Sequence, residues 1–147
     1  MIKNLFIILI LVCLVSLCGC GGGIKTVRID VVSDDNANNG NAVVVTIYQL
    51  VNADKFRYAS FESLMKKPEE TLGSDIIPNS KYERTLVPGE IFQLKEHEIK
   101  SDAAYLGVIA DFHSPAKDGW QQIISLDSDF DQLKISIHEN SLSFEIN

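Results

Sequence analysis

The stretch Ala42-Val43-Val44-Val45-Thr46-Ile47-Tyr48-Gln49-Leu50 decides the fold. Val, Ile and Thr lose side-chain freedom in a helix but pack well on a pleated surface, so this run is a strand. Its apolar residues do not alternate with polar ones, which predicts a strand buried on both faces. Upstream, Ile24–Ser33 places Val27, Ile29 and Val31 at the period of a half-buried strand. Between the two lie Asp34, Asp35, Asn36, Ala37, Asn38, Asn39, Gly40 and Asn41, a run of eight loop formers. Asn and Asp bond nearby backbone and tolerate left-handed geometry, and Gly accepts it freely. Connections of two neighbouring strands are usually two to five residues, and longer ones more often carry function.

Downstream of Leu50 the period changes. Phe56, Ala59, Phe61 and Leu64 fall at helical spacing, and Pro68 is expected to end the helix. Glu69–Gly73 reads as one more turn with Gly73 as its cap, so a helical insert covers about residues 52–72. Strand patterns then return at Lys81–Val87, Ile91–Leu94, Ala104–Phe112, Trp120–Leu126, Gln132–His138 and Ser141–Ile146, with Pro88-Gly89 as a turn. Gly107 in mid-strand predicts close packing by a large neighbour, with Trp120 the candidate. About eight short antiparallel strands with turns between them describe an all-β sandwich carrying a small helical insert after its second strand.

The chain begins with Lys3 and a 13-residue apolar block, Leu5–Leu17, then Cys18-Gly19-Cys20 and three glycines. That block is short for a membrane span, which needs about 20 apolar residues. A cationic start, a short apolar core and small residues afterwards describe a secretory signal. Leu17-Cys18-Gly19-Cys20 resembles a bacterial lipobox, in which the last cysteine is lipidated and becomes the new N-terminus. The expected organisation is a signal peptide at 1–19, a lipidated Cys20 with a Gly tether at 20–23, and one domain at 24–147. Cys13 and Cys18 leave with the signal and Cys20 takes lipid, so no thiol is left for a disulfide. The signal contains Lys3 and no acid, which leaves 12 basic against 20 acidic side chains in the mature chain, a balance of −8. An acidic chain of this kind does not suit nucleic acid, which needs clustered Lys and Arg.

Motifs for catalysis or metal binding are weak. Asp111 and His113 would share a face if the strand ran through both, and could form a dyad for a hydrolase, though no motif places a nucleophile beside them. His97, among Lys95, Glu96, Glu98 and Lys100, reads as part of a solvated stretch. Asp127-Ser-Asp-Phe-Asp131 imitates the start of a calcium loop, but Gln132 stands where Gly is needed and His138 where Glu is needed. Asp34, Asn36 and Asn38 fail the same comparison. No cofactor or metal site is expected.

These pieces together resemble a family. Val43–Leu50, then Phe56, Ala59, Phe61 and Leu64, then Leu72-Gly73-Ser74-Asp75, Pro88-Gly89-Glu90, Ala104–Phe112 and Trp120, stand in the order found in the type VI secretion lipoprotein TssJ family, also called SciN or VasD. The resemblance implies a transthyretin-like sandwich and no catalysis. It implies an anchor in the outer membrane, facing the periplasm. It also implies a partner, the large inner-membrane protein TssM, held through the loop between the first two strands, here Asp34–Asn41. The family commonly has prolines in this loop; Asn36-Ala37-Asn38 and Gly40-Asn41-Ala42 have none, so the loop is expected to be less rigid. Two other readings are a periplasmic small-ligand-binding lipoprotein with a sandwich pocket, and the hydrolase on Asp111 and His113.

Overall fold

A computed structural model describes residues 25–147. The expected signal, Cys20 and the Gly tether lie outside the described residues. Eight strands form: β1 Lys25–Ser33, β2 Val43–Leu50, β3 Tyr82–Leu86, β4 Ile91–Ile99, β5 Tyr105–Ala110, β6 Gln121–Ser125, β7 Gln132–Ile137 and β8 Leu142–Ile146. They make two four-stranded sheets, in the orders β4-β1-β7-β8 and β3-β2-β5-β6. The expectation of antiparallel strands holds for every pairing except β1 with β7, which is parallel. The chain crosses from the second sheet to reach β7, so β7 runs in the same sense as β1 and fits beside it.

The two sheets close on one core. Val27, Ile29 and Val31 from β1 and Leu133, Ile135 and Ile137 from β7 meet Val43, Val45 and Ile47 from β2 and Leu106 and Val108 from β5, all buried. Gln49 continues the inward face of β2 and is fully buried. Its amide donates to the Glu98 carbonyl at 2.7 Å and its oxygen accepts from Lys100 N–H at 2.8 Å, which ties one sheet to the other. His97 corrects the solvated reading of its stretch. The register between β1 and β4 slips between Val27 and Ile29, and this bulge turns His97 toward Gln49 and Tyr82. Local charge around His97 hid this, because burial is set by the partner strand.

β2 is buried on both faces, as its composition predicts, because the helical insert covers its outer side. The insert is three short helices, α1 Asp54–Tyr58, α2 Phe61–Lys66 and α3 Pro68–Leu72. Ser60 starts α2 by accepting from Ser63 N–H at 3.1 Å. The helix through Leu64 ends before Pro68, as expected, and Pro68 also opens α3. At the first helical position its missing N–H is no loss and its fixed φ suits the helix. Gly107 is packed by Phe56 rather than by Trp120: a Cβ there would lie 2.7 Å from the Phe56 ring. Trp120 meets Phe61 edge-on at 5.2 Å. Among the described residues no helix is long and apolar enough to cross a membrane.

Candidate docking surface

Odd-numbered strands all run toward one end of the sandwich. That end therefore gathers the connections 34–42, 87–90, 111–120 and 138–141, while Lys25 enters at the other. Nine residues of β1 separate the two ends, about 30 Å at roughly 3.3 Å per residue. The Asp34–Asn41 loop is not a hairpin tip, because β1 and β2 lie in different sheets. It crosses the top of the sandwich and closes the core there.

Its conformation follows from its asparagines. Asn38 (φ 48°), Asn39 (φ 54°) and Gly40 (φ 80°) are three consecutive left-handed residues. Asn accepts that region better than other side chains with a Cβ, and Gly has no penalty there. Asn38 is 3% exposed, and both polar atoms of its side chain are hydrogen-bonded. Its amide donates to the Ala42 carbonyl at 2.7 Å, and its oxygen accepts from His113 N–H at 2.7 Å. Asn41 donates to the Asn38 and Asn39 carbonyls at 3.0 and 3.2 Å. Side-chain hydrogen bonds thus tie the loop together where proline is lacking.

The eight predicted site residues divide into two sets. Ala37 and Asn38 are buried and Asp34 is partly so; Asp35, Asn36, Asn39, Gly40 and Asn41 are exposed. Asp34 Oδ2 lies 2.9 Å from His138 Nδ1, and His138 Nε2 lies 2.9 Å from Ser143 Oγ. This chain has the order of a hydrolytic triad, but Ser143 stands on the exposed outer face of an edge strand rather than in a cleft. Such a triad acts with preorganised donors for an oxyanion. What the arrangement does here is clamp the start of the loop to β7 and β8. The Asp111–His113 pair does not form. Phe112 N–H bonds back to the Ala110 carbonyl at 3.0 Å, a tight turn that ends the strand before the two can share a face.

The neighbouring connections lock onto the loop. Gly89 N–H approaches the Ser33 and Asp34 carbonyls at 3.1 Å each, and Asn38 N–H donates to the His138 carbonyl at 3.2 Å. Gly89 (φ 77°) also makes room for Asp35, whose Oδ1 lies 2.9 Å from where a Cβ would be. Sequence reading missed two apolar members of this surface, Val87 and Ile91, which are 55% and 67% exposed beside Pro88. Their signal was present but weak: bulky apolar residues on both sides of a Pro-Gly turn. Glu90 holds that turn, accepting from Val87 N–H at 3.0 Å and from Arg84 at 2.9 Å. The Val87 N–H and then Arg84 keep its carboxyl below the ordinary range. The surface is thus a polar, hydrogen-bonded crest flanked by exposed aliphatic side chains. Its chemistry is recognition: donors, acceptors and apolar area held in one shape.

Comparison with known proteins gives a consistent result. The family described as "Type VI secretion lipoprotein, VasD, EvfM, TssJ, VC_A0113" matches residues 25–140. No curated protein matches the chain. The fold is similar to the T6SS lipoprotein TssJ1 from Pseudomonas aeruginosa, with a TM-score of 0.76, 20% identity, and coverage of 85% of this chain and 98% of that one. It is similar to a chain in a structure described as "Type VI membrane complex", at TM-score 0.74, 26% identity, and coverage of 84% and 99%. A third similar chain belongs to a structure described as "T6SS protein TssM C-terminal domain (869-1107) from EAEC", at TM-score 0.71, 25% identity, and coverage of 83% and 98%.

Proposed function

The chain belongs to the type VI secretion lipoprotein family, and on that premise we propose that it is an outer-membrane lipoprotein that docks a TssM-like inner-membrane protein. Cys20 is the anchor, and the periplasmic C-terminal part of the partner is bound through the surface centred on Asp34–Asn41. No bond is made or broken; the work is anchoring and recognition. The observation that carries this reading is the placement of the loop. It lies at the end of the sandwich opposite the entry of the chain and is held in one conformation by Asn38, Asn41 and His138. A loop so placed faces away from the membrane, and a preorganised loop loses less entropy on binding. The similar chain in a structure named for a TssM C-terminal domain supports the choice of partner.

Asp35, Asn36, Asn39, Gly40 and Asn41 are assigned to contact, and Asp34, Ala37 and Asn38 to holding the loop. The test uses two exposed positions whose backbone any residue can adopt. Asp35→Arg with Asn36→Arg should weaken binding to the TssM periplasmic domain at least tenfold, about 1.4 kcal/mol, by calorimetry. The melting temperature should stay unchanged. Undiminished affinity would overturn the loop assignment.

A further inference from the structure

A second site lies on the other side of the molecule, between the helical insert and the outer face of β2 and β3. There a cleft of about 550 Å³ is lined by Tyr48, Pro68, Glu69, Ile76, Ile77 and Lys81, among others. A smaller cleft of about 130 Å³ adjoins it and shares Tyr48, Pro68 and Lys81. Tyr48 is only 2% exposed and lines both. Among the described residues its hydroxyl has no protein hydrogen-bond partner, and it is not one of the buried unpaired polar atoms, so the oxygen opens into the cleft. Its ring is fixed edge-on against Phe56, with centroids 6.3 Å apart.

The charges around this hydroxyl have a definite balance. Lys81 is already engaged, 2.7 Å from Glu83, and Thr46 approaches the same carboxylate. Glu69 has no ion-pair partner among the described residues; its neighbour Glu70 takes Lys67. Burial first, then Glu83 and Glu69, push the Tyr48 hydroxyl up to about 12, so it stays protonated. A hydroxyl opening into the cleft, an exposed carboxylate without an ion-pair partner and half-buried walls of Ile76, Ile77 and Pro68 form the complement of a cation on a hydrocarbon stem.

We propose that this cleft is a recognition site for a lysine or arginine side chain presented by a partner peptide. The stem lies along Ile76, Ile77 and Pro68, and the charged head pairs with Glu69 and donates to the Tyr48 oxygen. The site uses no residue of the 34–41 loop, so it stands or falls independently of the docking surface.

The test is an amide-shift titration of the mature chain in detergent micelles. The probes are N-acetyl-lysine N-methylamide and N-acetyl-arginine N-methylamide, with the glutamate analogue and putrescine as comparators. Saturable shifts at Gly73, Ile76, Ile77 and Asn79 are expected with the basic probes. Tyr48→Phe should weaken them about three- to tenfold, the scale of one hydrogen bond, and Glu69→Gln about two- to fivefold, the scale of an exposed ion pair. The Asp35→Arg, Asn36→Arg variant should bind them as the parent does. Absence of saturation, or equal binding of the glutamate analogue, would overturn the proposal. Tighter binding of putrescine than of either capped residue would also overturn it, by assigning the cleft to free polyamines.

Discussion

Asn38 and His97 show how far one side chain can be read in isolation. The left-handed tolerance of Asn38 and Asn39 is legible, because it depends on the side chain and its own backbone. That Asn38 is buried, with its oxygen on His113 N–H 75 residues away, is not legible, because the partner is supplied by folding. His97 is the opposite case. Its charged neighbours predict exposure, and the β1–β4 bulge leaves it half-buried. Burial lowers its pKa below the ordinary 6.5, while Glu98 works the other way. The unfolded chain therefore takes up the proton first, and stability is full above the ordinary value and declines as the pH falls through the histidine range. The lowered carboxylates, Glu62, Glu83 and Glu90, act in a separate window: their contribution is lost only as the pH falls through values below the ordinary 4.5. The parent should thus lose melting temperature between pH 7.5 and 5.5, and His97→Gln should lose less over that interval. Parallel losses in the two proteins would remove His97 as the cause.

At the scale of elements, strand existence follows from residue type and period, and boundaries follow from neighbours. Ala104–Phe112 has strand pattern throughout, but the strand ends at Ala110 because a turn takes over at Phe112. The insert was legible as helical from Phe56, Ala59, Phe61 and Leu64. Its division into three helices depends on the Ser60 cap and on Pro68 as a starting residue. The insert is joined to the sheet at Gly107, which Phe56 covers. Gly107→Ala would bring a methyl group within 3 Å of three ring carbons. Overpacking of this kind costs about 1–3 kcal/mol. The urea midpoint should fall accordingly, with Phe56→Leu in the same chain recovering part of the loss. An unchanged midpoint for Gly107→Ala would show that the insert is not held at this point.

For the whole molecule, the consequence is polarity: the chain enters at one end, and the loop surface is at the other. On the proposal that Cys20 carries the lipid, only a few residues before Lys25, the entry end would lie near the membrane and the Asn-rich crest would point away from it. Cys20→Ser should release the protein from outer-membrane fractions while leaving its melting temperature unchanged; continued co-sedimentation with those membranes would exclude lipid on Cys20 as the anchor. Sequence alone determined the class of fold, the loop's left-handed chemistry and the expected anchor, because these rest on residue type and local period. Tertiary structure decided that β1 and β2 belong to different sheets, which loop residues are buried, and that Val87 and Ile91 join Asp35 in one surface. Those are long-range outcomes: sheet pairing brings distant residues together, and no local pattern encodes which strand will lie next to which.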